Sequence, residues 1–255
     1  MSTRIDWSPL RRELARWRRE ERVLPIWWRD DDAVAVTPAL HQLASLSAEL
    51  ALSVHVAVIP KYAEPALAAF CADAPTLVPL VHGWAHQNNA QAAQKKSEFG
   101  HYRPEAPAET QQALDRLRGL FVADLLPVFV PPWNRISPDL IPHLAPQGYR
   151  ALSTYTPRRA PCPAPGLLQI NTHIDPIRWR GGGGLLDPER QIGDLAALLV
   201  ERREGRQDND EPLGLLSHHL VHDAAIWEFC RACLSELLTG GAVGADLRDM
   251  LGEAS

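Results

Sequence analysis

His82-Gly83-Trp84-Ala85-His86 sets two imidazoles four residues apart, a spacing that turns both toward a common ion on one helical turn or on a loop entering one. Far upstream, Asp30, Asp31 and Asp32 follow the apolar run Ile26–Trp28 directly. Negative charge in that position is costly unless a cation or hydrogen-bond donors stabilise it. One carboxylate with two histidines is a zinc-type donor set that leaves positions open for water and substrate. A carboxylate beside it can take a proton from that water. Read alone, the histidine pair is equally two residues meeting by chance near a strand end, and Asp32 reads as the cap of the following helix, with no chemistry of its own.

Other reactive side chains suggest less. Cys71, Cys162, Cys230 and Cys233 are too few and too scattered for a disulfide framework, and Cys230-x-x-Cys233 has no second pair to complete a zinc tetrad. His101, His173, His219 and His222, taken singly, read as surface or core histidines. The formal charge of −5 gives no general attraction to nucleic acid or to an anionic membrane. No apolar run approaches the roughly 20 residues of a membrane span. The first ten residues lack the apolar stretch and small-residue cleavage site of a secretory leader. The expectation is a cytoplasmic protein acting on a small molecule or a glycan, with no nucleic-acid partner and no membrane span.

The elements that would position these residues alternate along the chain. Ser8-Pro9 predicts a helix start with serine as cap, and the helix runs over 9–22. Ile26–Arg29 predicts a strand running into the aspartates, and Thr37-Pro38 opens a helix to Leu50. Residues 51–59 form a branched, buried strand, Pro65–Phe70 a short helix, and 77–81 a strand ending at His82. A helix over 108–121 follows, then a strand over 127–130 ending at Pro131-Pro132-Trp133. Strands at 150–153, 168–170 and 213–217, a helix over 192–202 and a last one from Asp223 complete the pattern. Residues 88–107 and 156–166 are long polar or proline-rich loops, 181–184 a glycine joint and 205–211 a charged turn. Alternating strands and helices imply a mostly parallel sheet, closed or open, and in barrels of this type chemistry gathers at the carboxyl ends of the strands. A single unit spanning 1–255, with its core over about 24–240, is expected.

Arg29-Asp30-Asp31, His82-x-x-x-His86, Pro131-Pro132-Trp133 and Leu215-Leu216-Ser217-His218 occur in the order of the polysaccharide deacetylase family, carbohydrate esterase family four, which the chain resembles from about Leu24 to Asp223. The resemblance implies an α/β fold, a distorted, seven-stranded (β/α) barrel. It implies a metal-dependent hydrolase that removes an acetyl or related acyl group from an N-acylated amino sugar, a C–N bond other than a peptide bond. In that family the earlier aspartate of the first motif is the base and the later one a metal ligand. Aligned from the strand end these fall on Asp30 and Asp31, with a one-residue slip to Asp31 and Asp32 open. The ligand set is then Asp31, His82 and His86, holding a divalent ion, Zn2+ first, with Co2+, Mn2+ or Ni2+ as alternatives. Gly83 stands where the family has serine or threonine.

The family's third motif carries an arginine before the proline, where this chain has Val130 or Pro131, so Arg29 or Arg135 would have to steady the base. Asp175 and Trp179 loosely match the fourth motif. Strand alternation lets only one of His218 and His219 enter the site, and His218 is assigned as the acid that protonates the leaving amine. Trp133 and its N–H, Asn134 and Trp84 are assigned to the substrate, the N–H to the developing oxyanion. Two other readings remain: a hydrolase of a non-sugar amide or formamide on the same scaffold, and a carbohydrate-binding homologue without turnover.

Overall fold

A computed structural model describes residues 5–252. Residues 1–4, part of the stretch read for a leader, and residues 253–255 lie outside the described residues. Among the described residues no helix is long and apolar enough to cross a membrane.

Helix α1 (Ser8–Arg19) precedes strand β1 (Leu24–Ala33), and then strands and helices alternate: α2 (Pro38–Leu50), β2 (Val54–Val58), α3 (Pro65–Asp73), β3 (Leu77–His82), α4 (Ala106–Phe121), β4 (Val128–Val130), α5 (Ile141–Gln147) and β5 (Ala151–Leu152). The chain continues through β6 (Leu168–Gln169), α6 (Pro188–Arg203), β7 (Leu213–Ser217), α7 (Ala224–Thr239), β8 (Ala242–Gly244) and α8 (Leu247–Met250). The strands lie in the order β6-β5-β4-β3-β2-β1-β7, every pair parallel, and β8 pairs with the amino end of β1. Single bridges from Tyr155 to Thr172 and from Ile174 to Leu215 carry the sheet on from β6 toward β7, so it curls into a distorted barrel. The α/β barrel expected from the family resemblance is therefore the fold, with β8 as an added short strand and α5 and α8 as added helices.

Strand alternation divides the core into two layers. Trp27, Ala57, Leu80, Val128 and Ile170 pack inside the curl, while Trp28, Val54, Val56, Val81 and Leu213 face the helices. Both tryptophans in the middle of β1 are thus buried, one on each side, and each indole N–H finds an acceptor: Trp27 in the Asn171 carbonyl at 3.0 Å, Trp28 in Ser217 Oγ at 2.8 Å. Cys230 and Cys233 point into the helix-side core, where burial pushes the Cys233 thiol up to about 12. Two expectations at helix starts change. Ser8 is the first residue of α1 rather than its cap, and α2 is capped by Thr37, whose Oγ1 accepts the Leu40 N–H at 3.1 Å. Asp32 is thereby free of the capping role.

Candidate metal and catalytic site

The carboxyl end of β1 presents three aspartates, and the backbone sends each to a different place. Regular alternation points Arg29 and Asp31 into the curl and Asp30 toward the helices. The β1–β2 register then shifts between Asp30 and Ala33, and Asp32 takes a left-handed backbone (φ 75°). That irregularity re-aims Asp32 as a bulge does. Its Oδ1 lies 3.1 Å from His82 Nε2 and 3.3 Å from His86 Nε2. Among the described residues Asp32, His82 and His86 are the group whose donor atoms, all within 4.8 Å of one another, could hold a metal ion. Asp31, the ligand expected from the strand-end alignment, is not in this group.

The histidine loop is built for that convergence. His82 ends β3, and its Nδ1 bonds the Val130 carbonyl at 3.0 Å. This leaves Nε2 to act as the donor atom, the arrangement metal-ligating histidines ordinarily show. Glu98, buried, accepts the N–H groups of Trp84, Ala85 and His86 at 3.2, 2.8 and 3.2 Å. It holds the loop like a peg, and burial raises its pKa against the bonds from Ala85 and Trp84. Gly83 (φ 57°) has no room for a side chain, because a Cβ would sit 2.5 Å from Pro132 Cδ. Glycine in place of the family's serine or threonine is thus required by Glu98 and Pro132. Glu98 was not found from the sequence, where it sits unmarked in a long polar loop.

Electrostatics differ among the three donors. Burial, which disfavours imidazolium, is outweighed at His82 by Asp31 and Asp32, and its pKa is raised. Asp32 is held well below the usual carboxylate range, burial being overcome by the bond to His82 and by the charges of His82, His218 and His86. His86 is lowered by burial and by its neighbour His82. Two nitrogens and one oxygen, one nitrogen already oriented from behind, with carboxylates drawing in a cation, suit a divalent ion of the zinc type.

Asp31 is gripped by its own strand. Arg29 Nε and Nη2 reach Asp31 Oδ1 and Oδ2 at 2.9 and 3.1 Å, a two-pronged pair buried on both sides. Arg29 is itself fixed by Ser153 Oγ at 2.7 Å, the Thr154 carbonyl at 3.2 Å and Asn134 Oδ1 at 2.7 Å. Of the two arginines considered, Arg29 stands at the aspartates. Arg135 turns outward, and its Nη1 donates to the Lys96 carbonyl at 2.6 Å. Asn134, expected at the substrate, has its oxygen occupied by Arg29.

Across from Asp31, His218 brings Nε2 to 4.0 Å from Asp31 Oδ2, and its Nδ1 is buried without a partner among the described residues. The edge of its ring meets Trp179, centroids 4.7 Å apart, and Trp179 Nε1 donates to Asp175 Oδ2 at 2.8 Å. The loosely spaced Asp175 and Trp179 therefore stand together beside His218. Burial raises the Asp175 pKa. His219 goes the other way, as alternation requires, and its Nδ1 pairs with Asp30 at 2.5 Å. Asp30 also accepts the Ser217 hydroxyl and the His219 N–H, at 2.5 and 3.0 Å, and is fully buried. It does not face the donor group. Trp133 (φ 57°) packs against His86, with centroids 4.2 Å apart, while Trp84 lines an outer groove with Lys61 and α4.

No protein-family model and no curated protein matches the chain. Solved structures do. A family 4 carbohydrate esterase from Streptomyces lividans in complex with acetate is similar with a TM-score of 0.52 at 14% identity, over 87% of this chain and 92% of that one. A family 4 acetyl xylan esterase from Clostridium thermocellum in complex with a cobalt ion gives 0.53 at 11% identity, over 89% and 90%. A family 4 pseudoenzyme from Bacillus anthracis gives 0.55 at 12% identity, over 90% and 66%. At these identities the likeness establishes the fold, which is that of family 4 carbohydrate esterases.

Proposed function

We propose that the chain is a metal-dependent deacylase of N-acylated amino sugars, its catalytic unit spanning the chain, with Asp32, His82 and His86 as metal ligands and Asp31 as base. The observation that carries this is the meeting of the three donor atoms next to Asp31, with His218 Nε2 4.0 Å from Asp31 Oδ2. The assignment moves both aspartate roles one residue along from the strand-end alignment, onto the slip left open in the sequence. A divalent ion held there would supply Lewis-acid polarisation of the acyl carbonyl and acidify the attacking water.

This chain's own residues supply the rest. Asp31, oriented by the Arg29 fork, accepts the proton of the attacking water. The Trp133 N–H, which has no partner among the described residues, donates to the developing oxyanion. His218, outside the donor group and 4.0 Å from Asp31 Oδ2, gives a proton to the departing amine nitrogen, which is a poor leaving group without it. Asp175 orients that imidazole through Trp179. The indole of Trp133 provides an apolar wall for one face of the sugar ring.

The test is metal content together with turnover. Protein purified without chelator should hold about one divalent ion per chain and release acetate or formate from N-acylated amino sugars. Asp31→Asn should keep the ion and lose turnover, whereas His86→Ala should lose both. Failure to bind zinc, cobalt, manganese or nickel would remove the hydrolase reading. Binding of the ion without turnover on any acylated amine would place the chain with the pseudoenzyme that shares its fold.

A further inference from the structure

Beside the proposed site, the residues after β5 and β6 enclose a cavity of about 320 Å³, within the range of small-molecule sites. It is lined by Thr154, Tyr155, Thr156, Arg158, Arg159 and Gln169, with prolines, Ala160 and Asn171 completing the wall. No carboxylate lines it, in a chain whose formal charge is −5.

The two arginines differ. Arg158 is committed: its Nε pairs with Asp208 Oδ2 at 2.7 Å and its Nη1 donates to the Gln169 carbonyl at 2.9 Å. Arg159 is exposed and has no hydrogen-bond or ion-pair partner among the described residues. The cavity is tied to the site at two edges. The Thr154 carbonyl accepts from Arg29 Nη1 at 3.2 Å, the same guanidinium that holds Asp31. Tyr155 donates its hydroxyl to the His173 carbonyl at 3.2 Å, two residues before Asp175. Burial and the Asp175 charge push the Tyr155 hydroxyl up to about 12, so it stays a neutral donor.

We propose that this cavity is a subsite for a phosphate ester carried by the acylated sugar, with Arg159 as its ion-pairing residue and the Thr156 hydroxyl as a further donor. The substrate is then a sugar phosphate or a phosphate-linked sugar rather than a neutral polymer. This rests on the deacylase reading for the sugar, but not for the anion. A guanidinium that lacks a carboxylate partner, in a wall with no acid, matches the fork-like donor geometry that phosphate oxygens accept.

The experiment measures binding by calorimetry on the metal-loaded full chain carrying Asp31→Asn, so that nothing turns over. The probes are N-acetylglucosamine, its 1-phosphate and its nucleoside diphosphate form. Either phosphorylated probe should bind roughly tenfold or more tightly than the neutral sugar. Arg159→Ala should abolish that gain and Arg159→Glu reverse it, with the affinity for the neutral sugar unchanged. Preference for the nucleoside diphosphate probe identifies a phosphodiester ligand, and preference for the 1-phosphate a monoester; both support the subsite. Equal binding of neutral and phosphorylated sugars, or a phosphate gain that survives Arg159→Glu, overturns it. If the phosphorylated probes bind through Arg159 while the Asp31 parent hydrolyses none of them, the subsite stands and the deacylase reading fails.

Discussion

Asp30 and Asp31 are neighbours on one strand, and they occupy opposite electrostatic worlds. Asp31 faces the inside of the curl, where Arg29 binds both its oxygens, His218 approaches at 4.0 Å, and the half-buried Asp32 and His86 stand nearby. Asp30 faces the helix layer, fully enclosed, with the Ser217 hydroxyl and the His219 ring and N–H taking up its oxygens. One side is arranged so that an aspartate can accept a proton from a passing ligand. On the other side an aspartate ties β1 to the end of β7. By holding His219 it also decides that His218, the next residue back, points at Asp31. The lesson is that a run of carboxylates cannot be assigned by proximity in sequence, since a period of two separates adjacent side chains by the whole thickness of the sheet.

The contrast can be broken most strongly on the inner side. Asp32→Ala should abolish metal retention and bring turnover to background, measured by metal analysis and acetate release. Asp31→Asn should lower kcat by about 10²–10⁴ while the ion stays bound. Retention of the ion by Asp32→Ala together with its loss in Asp31→Asn would restore the strand-end assignment. On the outer side, Asp30→Ala leaves His219 unpaired in the core and should cost about 3–5 kcal/mol of folding stability, read by denaturant unfolding, with metal stoichiometry intact. If it kept full stability and lost only the ion, the division between the two sides would be wrong.

A gentler probe of the outer side is pH. His222, whose Nε2 accepts the His218 N–H at 3.1 Å, is lowered to about 4, by burial first and then by His218 and His219, against the pull of Asp30 and Asp223. Above the unfolded value of roughly 6.5 neither state carries the proton, and the full contribution is present. As pH falls toward about 4 the unfolded chain takes up the proton and the folded one does not, so stability declines. His222→Gln should flatten that part of the stability profile relative to the parent; identical slopes would show that His222 is not the group responsible. The smallest effect is expected at Arg135. Its guanidinium meets a loop carbonyl, so Arg135→Ala should leave kcat unchanged and shift stability by less than about 0.5 kcal/mol.

Much of the site was legible before any coordinates. His82 and His86 are four apart at the end of a strand because that spacing brings two imidazoles together. Alternation required that only one of His218 and His219 enter the site, the family motif pointed to His218, and the structure turns the two apart. Arg29, directly before the aspartates, was one of two candidates to substitute for the missing arginine, and one strand period sets it beside Asp31. Glu98 could not be seen. It acts through three backbone N–H groups of a loop 12 to 14 residues away, and only Gly83 hinted that something pressed on that turn. Arg135 was plausible in sequence and is excluded by the direction its side chain leaves the loop.

The sequence by itself determined the alternating elements, a mostly parallel sheet and the residue types at its carboxyl end, since hydrophobic periodicity and donor chemistry are local properties; the closure into a barrel came from the family resemblance. Which aspartate meets the histidines was decided only in three dimensions. The choice depends on one left-handed residue and one register shift at the end of β1. Such a break arises from how the strand is held between β2 and β7, and the pattern of side chains along β1 does not encode it.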